Sequence, residues 1–396
     1  MVSTVTRALA MTVPSHRLSL AILSAVAAFA IPPARAEVPL GPIAGSEVSF
    51  EGQLQTDGYW YDSDVRDLDA DAGDGTDTDF GLRRAEFGLK GKGPGNSDWA
   101  LGYDVSGDGK FLDAFARYAS AGEIDRYVQL GQFKQPNSME ELSSSKNNDF
   151  IAKALVTNTF AVGRRLGVAA GAGGSDWGVT ASMFGRELTP DRAHGSGYGG
   201  RAYWAPVNAK GSVMHLGVSY VDYDTDADTL RWRVRPGADL ANRIVDTGNL
   251  VDTDRIGTVG TEALWISGPL KLQGEYMSSK VSRYGAGTGD FTATGGYASA
   301  LWNVTGETWG YKGGTAATLR PENPSTGMWQ LGLRYDSIDL DDGGVAGGQL
   351  DTITAGVNWY WRSNFKFMLD YVNASSERGG VSDDPGILEA RAQFFW

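Results

Sequence analysis

The sequence predicts an all-β chain: a 16-stranded antiparallel transmembrane β-barrel, with a cleaved signal peptide before it. Three observations carry this. Short segments alternate apolar and polar residues with a period of two. About sixteen such segments occur, most of them near the roughly 9–11 residues a tilted strand needs to cross a bilayer. Short and long connections alternate between them, as in barrels with tight turns at one end and loops at the other.

The chain opens with a different pattern. Arg7 and Arg17 precede the apolar run Leu18–Ile31, which is followed by Pro32-Pro33 and Ala34-Arg35-Ala36. A basic start, a short apolar stretch and an A-x-A site describe a secretory signal peptide cleaved after Ala36. The run is shorter than the roughly 20 residues of a spanning helix. Residues 1–36 are therefore assigned to the signal and 37–396 to the barrel.

The net charge is −13, and −16 once the three arginines of residues 1–36 are removed. There is no cysteine, so an exported chain of this kind must be held by a large core or by an extensive backbone ladder. No later apolar run reaches about 18 residues, so no helical span is expected. The mean hydropathy of −0.27 does not decide between a soluble exported protein and a barrel, whose apolar outer and polar inner residues cancel.

The strand segments lie near 48–57, 80–90, 98–106, 112–119, 126–134, 161–171, 176–185, 198–205, 213–223, 258–266, 270–279, 293–303, 326–337, 350–360, 364–374 and 386–396. In "MHLGVSY", Met214, Leu216, Val218 and Tyr220 share one face. In "WQLGLRYD", Trp329, Leu331, Leu333 and Tyr335 do, against Gln330, Gly332, Arg334 and Asp336. "FKFMLDY" and "LEARAQFFW" follow the same rule. The polar phase carries full charges and is expected to meet water. Tight connections such as "GPGNS", "GGSD", "SGP" and "RSN" alternate with long ones: Asp62–Asp79, Arg186–Gly197, Asp224–Arg255, Lys280–Phe291 and Asn373–Gly386. Glu307–Ser325 breaks the rule, being long where a short turn is due. A soluble sandwich or solenoid also alternates. Against it stand the even strand number, the alternating loop lengths and Trp396 closing the last strand. That residue resembles the C-terminal signature of outer-membrane proteins, where Phe is usual. Sixteen strands leave an aqueous lumen, so the fold implies a channel.

One stretch, "GQFKQPNSMEELSSSKNNDFIAKAL" (Gly131–Leu155), starts as a strand and then turns polar with a faint helical rhythm. Counted from a periplasmic N-terminus it is the third outward connection, expected to fold into the lumen. It belongs to an order of segments: "RRAEFGLKGK" (Arg83–Lys92), "YDVSGDGKFLDAFARY" (Tyr103–Tyr118), this loop, "WRVRPG" (Trp232–Gly237), "LRPENPSTGMWQLGLRYDSIDLDD" (Leu319–Asp342) and "GVNWYW" (Gly356–Trp361). In that order the chain resembles the phosphate-selective porin O/P family over nearly its whole mature length.

The resemblance implies a homotrimer in the outer membrane that passes inorganic phosphate or other small anions, with basic side chains lining the path. Carried over residue by residue, it implicates Arg83 and Arg84, Asp113, Lys146, Lys153, and Arg233 and Arg235. Three departures bear on selectivity. A lysine of the family's third loop falls on Glu141, a tyrosine of the phosphate-specific member on Glu86, and an arginine on Lys153. Lys offers a point charge in place of a planar fork, and the two carboxylates lower the local potential. Two further basic positions of loop five fall on Gly237 and Ala241.

Each residue also has a plainer reading. Arg84 lies on the polar phase and has Glu86 as a natural ion-pair partner. Lys146 and Lys153 sit on a loop, where charge is ordinarily solvated. Arg233 and Arg235 project together, as an electrostatic funnel or as an ordinary outer loop. The eight Asp of Asp62–Asp79 resemble a calcium loop, but the EF-hand spacing ends on Thr78 where a bidentate Glu is required. Asp67, Asp69 and Asp71 remain weak candidates for divalent cations that bridge lipopolysaccharide. Trp99, Tyr103, Trp329 and Tyr371 suit interfacial girdles. His194 and His215, the two histidines after residue 36, have no nucleophile or metal partner at motif spacing, and Ser219 shares a strand face with His215. No enzyme activity, cofactor or nucleic-acid partner is expected.

Overall fold

The computed structural model describes residues 37–70, 76–120, 122, 124–285 and 287–396; the segment read as a signal peptide lies outside them. Sixteen strands form the wall. They are β1 (Ser46–Asp62), β2 (Thr78–Lys92), β3 (Ser97–Asp104), β4 (Lys110–Ser120), β5 (Asp125–Lys134), β6 (Arg164–Gly173), β7 (Trp177–Phe184) and β8 (Gly197–Ala209). After them come β9 (Ser212–Tyr223), β10 (Thr253–Ser267), β11 (Leu270–Arg283), β12 (Phe291–Asn303), β13 (Met328–Asp342), β14 (Val345–Trp361), β15 (Phe365–Arg378) and β16 (Gly386–Phe395). Each pairs antiparallel with the next, and β16 pairs back on β1 from Gln53↔Phe395 to Asp62↔Gly386. That pairing closes the barrel and removes its edges. An additional strand, Val38–Ile43, pairs with the start of β1 where β16 has ended, covering the edge left there.

All sixteen expected segments become strands, and the alternation assigns their faces. Leu331, Leu333 and Tyr335 point outward and are exposed, while Gln330, Arg334 and Asp336 point inward. The expectation that the inward charges meet water is wrong for a wide arc of the wall. Arg334, Asp336, Lys366, Asp370 and Arg391 are almost completely buried. The cause is a set of connections that enter the lumen.

Loop three (135–163) crosses the barrel, carrying short helices at Met139–Leu142 and Leu155–Phe160. From the turn end, the long connection between β12 and β13 sends in a hairpin of Trp309–Lys312 against Thr315–Thr318. Trp309 packs with Met139 and Phe150 of loop three, so the hairpin supports the loop from below. His215 pins it: Nδ1 lies 2.7 Å from the Tyr311 hydroxyl and Nε2 2.9 Å from Glu262, which Arg201 also engages. Ser219 is not among the partners of His215. Loop five (224–252) folds over the loop end, burying Trp232, Val234, Ile244 and Val245 with Leu68 of loop one and Phe160 of loop three.

Candidate functional site

Loop three is fixed to the far wall by its own main chain. Carbonyl groups of Asn148, Asp149, Ile151 and Ala152 accept from Lys366, Asn358 (2.7 Å), Arg391 (2.8 Å) and Arg334 (2.9 Å). Its N–H groups donate to carboxylates: Met139 and Glu140 to Glu275, Ile151 to Asp370 and Leu155 to Asp336. A loop inside a barrel cannot leave its peptide groups unpaired, and the far-wall charges meet that demand. Ion pairs behind the loop, Arg391–Asp57 at 2.6 Å and Arg334–Asp336 at 2.7 Å, complete the layer.

A notch fixes the register. Gly332 and Gly356 face each other on β13 and β14, and the Phe150 ring fills the space their missing side chains leave. A Cβ on Gly332 would lie 3.0 Å from Phe150 Cζ, and one on Gly356 would lie 2.5 Å from Asp370 Oδ1. Arg334 lies over the same ring, 4.7 Å from its centroid.

The opposite side of loop three faces β1, β2 and β4–β6 across the remaining passage, where the implicated residues collect. A β-bulge on β2 sets Gln55 opposite Arg84 and Thr56 opposite Leu82, so Arg83 is the extra residue. Two consecutive arginines thereby turn inward, which strict alternation forbids. Arg83 donates to Asp239 of loop five at 2.7 Å, and Arg84 to Gln55 at 2.6 Å with Glu86 at 3.4 Å. Glu86 in turn accepts from Gln53, which also reaches Ser145 of loop three. Asp113 binds Arg164 at the start of β6 through contacts of 2.8 and 3.3 Å. Lys153 is ion-paired with Glu141. Lys134, at the root of the loop, donates to the carbonyls of Glu141 and Ser143 at 2.5 and 2.7 Å.

Around this centre stand five basic groups (Arg83, Arg84, Lys134, Lys153 and Arg164) and four acids (Asp239, Glu86, Glu141 and Asp113). Burial alone would push the Glu141 carboxyl up, but Lys153 and Lys134 overcome it and hold it at about 2. Burial likewise opposes ionisation of Asp239, and Arg83 and Arg84 bring it to about 2. Both acids are carboxylates at any physiological pH.

The other implicated residues stand apart. Lys146 reaches Glu51 at 3.5 Å and the Trp396 carbonyl at 3.4 Å. It borders a cavity of about 180 Å³ towards the turn end, with Arg320 and Arg362. Arg233 is exposed on loop five, whereas Arg235 donates to the Ala241 carbonyl at 2.7 Å and is half-buried. Asp71 lies outside the described residues. Asp67 and Asp69 offer their carbonyls to Asn242 of loop five, and no metal-ligating cluster forms among the described residues.

Three contributors escaped sequence reasoning. Lys134 stands in "GQFK", read as the end of a strand. Arg164 opens the strand that follows loop three, where a basic pair straight after an inserted loop was an available signal. Asp239 has no local signature, since only the inward fold of loop five brings it to Arg83. Loop five also carries Arg243, close enough to Arg233 and Arg235 for their charges to oppose its own. The basic stretch thinned at Gly237 and Ala241 is thus partly restored from elsewhere in the loop.

Comparison with known proteins agrees with this architecture. The chain is 30% identical to porin O of Pseudomonas aeruginosa over 220 residues, covering 47% of this chain and half of that protein. It is 29% identical over 361 residues to an uncharacterized protein of Caulobacter vibrioides, covering 84% of this chain and 70% of that one. Among solved structures, the outer-membrane channel DcaP of Acinetobacter baumannii superposes with a TM-score of 0.59 at 12% identity, over 91% of this chain and all of that one. An anion-selective porin from Comamonas acidovorans superposes at 0.54 and 13%, over 89% of this chain and all of that one. These place the barrel in the bacterial outer membrane. Residues 55–396 match the model of the family described as phosphate-selective porin O and P, and the chain belongs to that family.

Proposed function

We propose that this porin is a diffusion channel for small anions of the phosphate type, with moderate selectivity. The observation that carries the reading is the double arginine at the β2 bulge, together with Lys153, Lys134 and Arg164 paired around the near side of loop three. An oxyanion leaving bulk water needs several charged donors in place of its hydration shell. Guanidinium groups supply these in fixed forks. Glu86 and Glu141 restrain the preference, because an entering anion competes with a carboxylate for each cation. A less selective path for other small solutes is the second reading, and those same two acids favour it. Family membership supports a homotrimer set in outer-membrane lipid and lipopolysaccharide.

The test is the reversal potential of single channels in a salt gradient, followed by titration with phosphate. An anion-selective potential, with chloride current blocked by millimolar phosphate, is expected. A cation-selective potential without block would overturn the proposal.

A further inference from the structure

We infer that the constriction also favours dipolar ions, solutes that carry an ammonium and a carboxylate a few ångströms apart, over neutral solutes of the same size, and that Glu141 is the residue that determines this. The inference rests on the channel reading above and adds a second solute class to its anions.

The charges at the constriction are paired in place rather than segregated. Lys153 holds Glu141, Arg164 holds Asp113, and Arg84 stands by Glu86. Glu141 is central to them: Lys153 binds its carboxylate, Lys134 binds its carbonyl, and Arg164 lies within electrostatic reach. Ser138 caps the Met139–Leu142 helix by accepting from the Glu141 N–H at 3.1 Å, and Glu275 accepts from the two preceding N–H groups. The acid is therefore held in the passage rather than on a swinging tether.

Consider what each kind of solute must do here. A lone anion that takes Lys153 leaves Glu141 without its partner in a poorly hydrated place, at a cost that offsets the new contact. A lone cation at Glu141 strands Lys153 and meets Arg164 close by. A dipolar ion exchanges partners without stranding either. Its carboxylate takes Lys153 or Arg164, and its ammonium takes Glu141, so every charge stays paired and the net charge of the passage is unchanged. The neutral exchange also escapes the repulsion between an entering anion and Glu86. α-Amino acids and short peptides have this chemistry. Glutamine in place of Glu141 would free Lys153 and remove one negative charge, making the passage more selective for simple anions.

The experiment uses the purified full-length porin in liposomes. Swelling rates are measured with glycylglycine and with a neutral sugar of similar size, and reversal potentials are recorded in a potassium chloride gradient. In the native protein the glycylglycine rate should exceed the sugar rate. In Glu141→Gln that ratio should fall about three- to tenfold, while the chloride-to-potassium permeability ratio rises about tenfold; Glu141→Asp should retain most of the native ratio. Heat-modifiable migration on gels checks that each variant is folded. A ratio of one or less in the native protein, or a folded Glu141→Gln variant with both readouts unchanged, would overturn the inference while leaving the channel reading intact. No swelling with either solute, together with no channel current, would overturn both.

Discussion

The two sides of the lumen use the same residue types for opposite ends. On the far wall, Arg334, Lys366 and Arg391 are buried and donate to loop-three carbonyls. On the near wall, Arg84 and Arg164 remain partly exposed and pair with acids of the same wall, Glu86 and Asp113. Both sets lie on the polar phase of alternating strands. The difference teaches that a polar inner face in a barrel is two resources, one consumed in solvating an inserted loop and the other left for solute.

Replacing a far-wall cation should therefore have the largest effect. Arg391→Ala leaves Asp57 buried without its cation, with only the Tyr59 hydroxyl still donating to it, and the Ile151 carbonyl without a donor; it should cost about 3–5 kcal/mol, read as a lower denaturation midpoint of the purified porin. Released from the wall, loop three should also give a larger and noisier single-channel conductance. Arg84→Gln on the near wall keeps a donor for Gln55 and should cost only about 1 kcal/mol, the worth of one hydrogen bond, yet weaken phosphate block severalfold. Equal stability losses from the two variants would break the comparison.

Next comes the notch. Gly332→Leu drives a side chain into the space of Phe150 and should cost about 1–3 kcal/mol. If the notch only sets register, a Gly332→Leu, Phe150→Ala double variant should recover part of that loss. Thermal denaturation of the single and double variants settles it.

Acid sharpens the picture on the near wall. The Glu141 carboxyl is depressed from 4.5 to about 2, and Asp239 from 3.8 to about 2. A group whose value is lowered on folding contributes stability that is fully present above its unfolded value and is lost as pH falls through the folded one. The latch of loop three to Lys153, and of loop five to Arg83, should thus hold from neutrality to about pH 4 and release only towards pH 2. Reversal potentials should turn more anion-selective as pH falls towards 2. A Glu141→Gln, Asp239→Asn variant that keeps the whole of that change would show that these acids are not paired as described. The smallest effect is expected at the mouth, where Arg233→Ala should lower phosphate entry about two- to threefold at low salt. In high salt the loss should disappear, because long-range steering is screened.

Much of this was legible beforehand, for a physical reason. Period-two alternation is local, so the sixteen strands and their lipid faces followed from segments such as "WQLGLRYD" and "FKFMLDY". The unusual length of Glu307–Ser325 was also visible, though not that it enters the lumen as a hairpin latched by His215. Arg83 and Arg84 were picked out by resemblance; their shared direction depends on a bulge, which alternation cannot express.

The sequence by itself determined the barrel, the closure of sixteen strands and the presence of basic and acidic residues around the third loop. Each depends on short-range chemistry: backbone pairing, alternation against lipid and turn length. Only the tertiary structure decided which inward charges serve solute and which serve the loop. That choice is made by partners hundreds of residues away, as when Arg391 meets Ile151 and Arg83 meets Asp239. A charge on a polar face has no local property that says whether water, a peptide group or a passing ion will be its neighbour.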